Sequence, residues 1–226
     1  MMMQTETYGA TDVRQQIYAF LASLFLQEPT AERVEQSYLQ LSLMLEEYGE
    51  EPLSMDNMSD VEELRQEYYD RFFVPMSGRY VPPYESVLRN YLANGRKWGR
   101  LMGPEASHVQ SCYDLFDFQP TCLDIYEPLK GITFPDHIGF ELAFMAYLCR
   151  EELESVGRNK GLAVKWRDRQ GQFLVEHVNP WTDSLIAALM ESGEGYYAKV
   201  GIIVANWVAD DMEYLRSNST KVGEWS

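Results

Sequence analysis

Two short stretches place proton-carrying or charged side chains at a fixed spacing. In Phe134-Pro-Asp-His-Ile-Gly-Phe-Glu-Leu142, His137 and Glu141 stand four residues apart, which on a helix puts both on one face. Asp136 suits the N-cap of that helix, accepting from its first-turn N–H groups. In Tyr80-Val-Pro-Pro-Tyr-Glu-Ser-Val87, Pro82-Pro83 fixes the backbone ahead of Tyr84, Glu85 and Ser86. Glu85 at a helix start is favoured by the helix dipole. Both stretches also read as ordinary helix starts with a cap and a satisfied pair. A His and a Glu at this spacing can share a metal ion, but the run HIGFE lacks the second histidine of a metal-binding helix. No metal site is expected, since His108, His137 and His177 lie far apart in sequence. Cys112, Cys122 and Cys149 are an odd set with no CxxC, read as buried, inert thiols in a reducing compartment. There is no GxxxxGK[ST] and no GxSxG, so neither a P-loop nor a nucleophile elbow is available.

The elements that must position these residues are helices. Val13, Ile17, Phe20, Leu21, Leu24 and Phe25 recur at steps of three and four, with Thr11 or Asp12 as cap and Glu28-Pro29 as stop. Thr30 opens a second helix that Gly49 ends, and Ser59-Asp-Val-Glu62 reads as a capping box for a third, stopped before Pro75. A short helix is expected over 84–93 and another from Pro104. Residues 117–134 read as irregular. Pro135 begins a helix striped with Ile138, Leu142, Met145, Leu148 and Cys149. Helices over 160–178 and from Trp181 follow, separated by Asn179-Pro180, and the last carries Val200, Ile203, Val204, Trp207 and Asp211. No segment alternates as a strand would, so no sheet is expected. The chain reads as all-α, a single compact domain of about nine to eleven helices. Its expected span is 11–216, with a candidate lobe boundary within 117–134 and frayed ends over 1–10 and 217–226.

Composition narrows the function. The 226 residues include 35 acidic and 19 basic side chains, a net charge of −16. Such a surface repels phosphate backbones and anionic lipid, which argues against nucleic-acid partners and membrane docking. It attracts a basic partner and speeds its approach. No leader or transit pattern is visible near the first residue, and no apolar run reaches a membrane-spanning length. A cytoplasmic protein is expected.

The two stretches also occur in a telling order. YVPPYESVL, then about fifty residues on FPDHIGFELAFMAYL, then Gln172-Phe-Leu-Val-Glu-His-Val-Asn-Pro-Trp-Thr182, resembles the TorD/DmsD/NarJ family of redox-enzyme maturation chaperones. The likeness extends from about Arg14 to Asp210. It departs at Val74-Pro75, where the family often has Gly-Pro, and at Leu88, where it often has an aromatic.

That resemblance implies an all-helical, non-enzymatic chaperone. Its partner would be the catalytic subunit of a molybdopterin oxidoreductase, many such subunits being recognised through a twin-arginine signal peptide. The chaperone holds its client until the cofactor is loaded, then releases it for export. The molybdopterin belongs to the client, so no cofactor is expected here; weak guanine-nucleotide binding is implied by the family alone. A monomer or a domain-swapped homodimer is implied. Carried over by position, Tyr84, Glu85, Ser86, Asp136, His137 and Glu141 are the expected client-binding residues. Apart from the resemblance, Phe72, Phe73, Tyr80 and Trp98 are candidate groove lining and read equally well as core. Exposed ion pairs contribute only about 0–1 kcal/mol each, whereas micromolar affinity needs about 8 kcal/mol. An apolar groove with Glu85, Asp136 and Glu141 at its rim is therefore the expected form. Two other classes compete: a small helical hydrolase or metal-binding enzyme using Asp136, His137 and Glu141, and a helical scaffold with no peptide site.

Overall fold

A computed structural model describes residues 2–54, 60–131 and 134–218, with side chains from Gly9 onward. The helices form where the periodicity puts them, and their ends are set by caps. α1 (Met2–Leu26) starts well before the expected cap. Thr11 lies fully buried within it, its Oγ1 turned to Glu152 Oε1 at 3.4 Å. Thr30 caps α2 (Ala31–Glu47) as expected, accepting from Arg33 N–H at 3.3 Å. For α3 (Val61–Phe72) the cap is Asp60, which accepts from Glu62 and Glu63 N–H at 3.0 and 3.2 Å. Its carboxylate reaches the first-turn donors directly, so no capping box from Ser59 is needed; Ser59 itself lies outside the described residues.

α4 (Glu85–Leu88) is a single turn, shorter than the expected 84–93. Turns follow it, and Gly99 N–H returns to Val87 carbonyl at 2.8 Å. α5 (Pro104–Leu115) starts on its proline. After it come a short 3₁₀ turn (Pro120–Cys122) and α6 (Glu127–Lys130). This stretch is built into the molecule: Phe118, Ile125 and Leu129 are buried, and Tyr126 N–H donates to Leu26 carbonyl at 2.7 Å. α7 (Ile138–Val156) begins three residues after Pro135, with the whole stripe from Ile138 to Cys149 buried.

α8 (Lys160–Phe173) does not stop at Asn179-Pro180. It continues through a π segment (Leu174–Val178) into α9 (Asn179–Glu191). Proline has no N–H for the carbonyl four residues back, here Glu176. Arg89 Nη1 donates to that carbonyl instead, at 2.7 Å. α10 (Tyr196–Asn218) closes the chain, and residues 219–226 lie outside the described residues. Taking α8, the π segment and α9 as one run, the described residues hold nine helices and no strand.

α1 packs along α7, α7 against α8, and α9 against α10. Tyr18, Leu21, Met145, Leu148, Trp181 and Val204 are fully buried between them, each large side chain contributing about 1.5–3 kcal/mol by leaving water. Buried ion pairs tie the helices together. Arg14 of α1 grips Asp211 of α10, which also accepts from Tyr18 Oη at 2.7 Å. Arg71 of α3 pairs with Glu67 and donates to Leu189 carbonyl at 2.9 Å. No helix among the described residues is long and apolar enough to cross a membrane.

Candidate functional site

Among the described residues, one isolated β-bridge joins the two chemistry-bearing stretches. Tyr84 pairs antiparallel with His137. Glu85 N–H donates to Asp136 carbonyl at 2.9 Å, and Ile138 N–H to Pro83 carbonyl at 3.0 Å. The Pro82-Pro83 pair can lie here because it offers acceptors only and no donor is asked of it.

The cap of α7 differs from the sequence expectation. His137, not Asp136, caps α7: its Nδ1 accepts from Gly139 N–H at 3.0 Å. Asp136 reaches across the bridge instead and caps α4, its Oδ2 accepting from Ser86 N–H at 2.8 Å. The reason for Gly139 is local. A Cβ there would lie 2.6 Å from the Leu26 side chain, so only glycine lets α1 lie this close to the start of α7.

Beneath the bridge sits a buried polar cluster. Glu85 is fully buried at its centre. One oxygen takes the Arg89 guanidinium and the other meets His177 Nδ1 at 2.8 Å. His177 Nε2 in turn meets His108 Nδ1 at 2.8 Å. Glu141, also fully buried, accepts from Trp181 Nε1 at 3.1 Å and lies against Glu85. Burial, then the Glu85 and Asp136 charges, hold its carboxyl well above the usual range. Arg89 supplies one positive charge, and a second buried carboxylate beside Glu85 would go uncompensated. Glu141 therefore keeps its proton and can donate it to Glu85. Burial also raises Asp136, against the opposing Ser86 hydrogen bonds. Burial alone lowers His137, to about 3.

All six expected client-binding residues thus meet in one place, and five of them are buried; Ser86 is half-buried. Glu85, Asp136 and Glu141 are interior carboxyls, not rim groups, because each side chain turns inward to a backbone, guanidinium or indole donor. The four expected groove residues do not come together. Phe72 is core, packed on Phe25, Tyr68 and Tyr197. Phe73 is half-buried against Tyr68 and Tyr126. Tyr80 is half-buried. Trp98 is exposed, stacked on Tyr91 with ring centres 4.7 Å apart.

His137 and Glu141 share a face as expected, yet each has a different partner, and His137 spends Nδ1 on the cap. This arrangement binds helices together; it presents no acid–base pair to a substrate. The thiols also differ from expectation: Cys149 is buried, Cys112 half-buried and Cys122 exposed, and all three are free. Arg89, His108, His177 and Trp181 complete the cluster. The sequence places none of these four in the site, although its pattern singles out the segment Gln172–Thr182, which holds His177 and Trp181.

Three segments, 80–89, 134–141 and 173–181, therefore converge on one cluster, in the order that first suggested a family. A family model described as "Nitrate reductase delta subunit" matches residues 10–187. The chain belongs to the nitrate reductase delta subunit family. This is a family of molybdoenzyme maturation chaperones, of the NarJ/TorD type. The matched range runs from within α1 through most of α9, and so includes every member of the cluster. No curated protein matches the chain.

Proposed function

We propose that this chain is a cytoplasmic chaperone that binds the catalytic subunit of a molybdopterin oxidoreductase through its twin-arginine leader, holding it until the cofactor is loaded. The observation that supports this most is the junction of the three family segments in one buried cluster beside an exposed apolar surface. In this reading Tyr84, Glu85, Ser86, Asp136, His137 and Glu141 serve the client indirectly, by fixing the chain that follows Ser86. That chain carries Leu92, Trp98, Leu101 and Met102, all exposed. Gly99 seats it against the cluster: a Cβ there would lie 2.5 Å from Ser86 carbonyl oxygen. The apolar stretch of a leader docks on these side chains, burying surface at about 25 cal/mol per Å². The leader's arginines are drawn by the net charge of −16 and add mainly to the rate of encounter.

The test is calorimetric titration with a synthetic twin-arginine leader, alongside one peptide lacking both arginines and one with Asp in its apolar stretch. Saturable binding is expected, reduced about tenfold or more by Trp98→Ala and strongly by the Asp peptide. The arginine-free peptide should associate more slowly and show less dependence on salt. Leaders and mature catalytic subunits from several molybdoenzymes all failing to bind would overturn the reading.

A further inference from the structure

The cluster contains a second arrangement that the chaperone reading does not use. His108 and Cys112 are four residues apart on α5, and His177 faces them from the π segment. One ligand atom from each, two ring nitrogens and a sulfur, lie within 4.8 Å of one another. We propose that His108, Cys112 and His177 form a binding site for a thiophilic divalent metal ion, with zinc the best match, independent of the client surface.

Four observations carry this. The donor set is two imidazoles and a thiol, which suits zinc and its neighbours over magnesium or calcium. The fit is close: with Zn–N of about 2.0–2.1 Å and Zn–S of about 2.3 Å, tetrahedral ligand atoms stand about 3.3–3.6 Å apart. The two ring nitrogens are 2.8 Å apart and the three ligand atoms lie within 4.8 Å; His108 is exposed and able to swing, so the rings part by about 0.5 Å and the sulfur closes by up to about 1.2 Å.

His177 is also held as metal-bound histidines are. Its Nδ1 meets the Glu85 carboxylate at 2.8 Å. In the neutral ring Nδ1 then carries the proton, and the Nε2 lone pair points at the site. A carboxylate behind a ligand histidine fixes its tautomer and strengthens it as a donor.

Finally, there is a way in. A cavity of about 190 Å³ is lined by His108, Cys112 and Glu176. It leaves a fourth position for water or for the Glu176 carboxylate. Binding moves the His108 proton from Nδ1 to Nε2, freeing Nδ1 as a ligand, and releases one proton, that of Cys112 Sγ, to solvent. A π segment, which turns His177 out of the regular helical register, is a frequent setting for such sites.

Cobalt(II) titration of the purified, metal-stripped full chain tests this, followed by zinc competition. One equivalent should give the intense charge-transfer absorption of a cobalt–thiolate bond and the visible bands of a tetrahedral ion. Cys112→Ala should abolish the charge-transfer band, and His108→Ala should weaken zinc binding at least tenfold. Both side chains lie toward the surface, so both variants should fold. Cys122→Ala should change nothing. Glu85→Gln, which changes the partner behind His177 and removes no ligand atom, should weaken zinc about 10–100-fold while keeping the spectrum. The proposal fails if no cobalt binds, if it binds without the thiolate band, or if the band survives Cys112→Ala. Leader binding by the metal-stripped chain is measured separately, so either result leaves the client reading to its own test.

Discussion

Replacing Glu141 by glutamine should stabilise the protein, and increasingly so as the pH rises. Glu141 is fully buried, with one oxygen on Trp181 Nε1 and the other lacking any donor. Its pKa is raised by burial and by the Glu85 charge from an ordinary 4.5. A raised folded-state pKa gives stability that is complete below pH 4.5 and drains away as the pH rises toward the folded value. The slope is about 1.4 kcal/mol per pH unit, because the folded chain must keep a proton that the unfolded chain gives up. Glutamine avoids this: its carbonyl still accepts from Trp181, and its amide still donates to Glu85.

Urea unfolding at pH 5, 6 and 7, followed by tryptophan fluorescence and circular dichroism, reads the difference directly. The gap between Glu141→Gln and wild type should widen as the pH rises from 5 toward 7, by at most about 1.4 kcal/mol per unit. Glu141→Ala is the control. It leaves a cavity and an orphaned indole N–H, and should lose about 2–4 kcal/mol at every pH. Parallel pH profiles for wild type and Glu141→Gln would refute the assignment of the proton to Glu141.

Three further outcomes follow from the same cluster. His137, its pKa lowered to about 3 by burial, gives stability that is complete above pH 6.5 and is lost as the pH falls. His137→Asn keeps a cap and removes the titration, so between pH 6 and 4 it should lose stability more slowly than wild type by about 1.4 kcal/mol per unit; equal slopes would show that this ring does not stay neutral. Arg89→Met strands the Glu85 carboxylate and the Glu176 carbonyl, and should cost about 3 kcal/mol in chemical unfolding, with Glu85→Gln/Arg89→Met losing less than the two single changes added together. Gly99→Ala pushes the following chain off Ser86 and should weaken leader binding while costing only about 1–3 kcal/mol of stability; unchanged leader affinity would detach residues 92–102 from the client surface.

Much of the fold is legible because helix periodicity and caps are local. Thr30, Pro104 and the stripe from Ile138 to Cys149 needed only their neighbours in sequence. The misreadings share one cause, a distant partner. Asp136 looks like the cap of α7 until the bridge to Tyr84 brings Ser86 N–H within reach. Asn179-Pro180 looks like a helix end until Arg89, ninety residues away, accepts the role the proline gives up. Thr11 looks like a helix start until Glu152 lies beside it. The site shows the same divide. The six expected residues do meet, but burial and the roles of Arg89, His108, His177 and Trp181 depend on contacts across 40 to 92 positions.

The burial of these carboxyls bears on how a chaperone of this kind recognises anything. A charge inside a helical domain must find its partners there, since leaving it unpaired costs several kcal/mol. Glu85 therefore dictates an arginine at 89 and a histidine at 177, and Glu141 dictates an indole at 181. Residues so constrained form a recognisable pattern in sequence, yet they have little surface to offer a client. Leu92, Trp98, Leu101 and Met102 have the surface and almost no internal partner. They are held by backbone contacts through Val87 and Gly99, so their side chains are free to suit one client or another. In the proposed reading, the family signature and client specificity belong to different atoms: the signature sets where the chain leaves the core, and the exposed residues after Ser86 decide what binds.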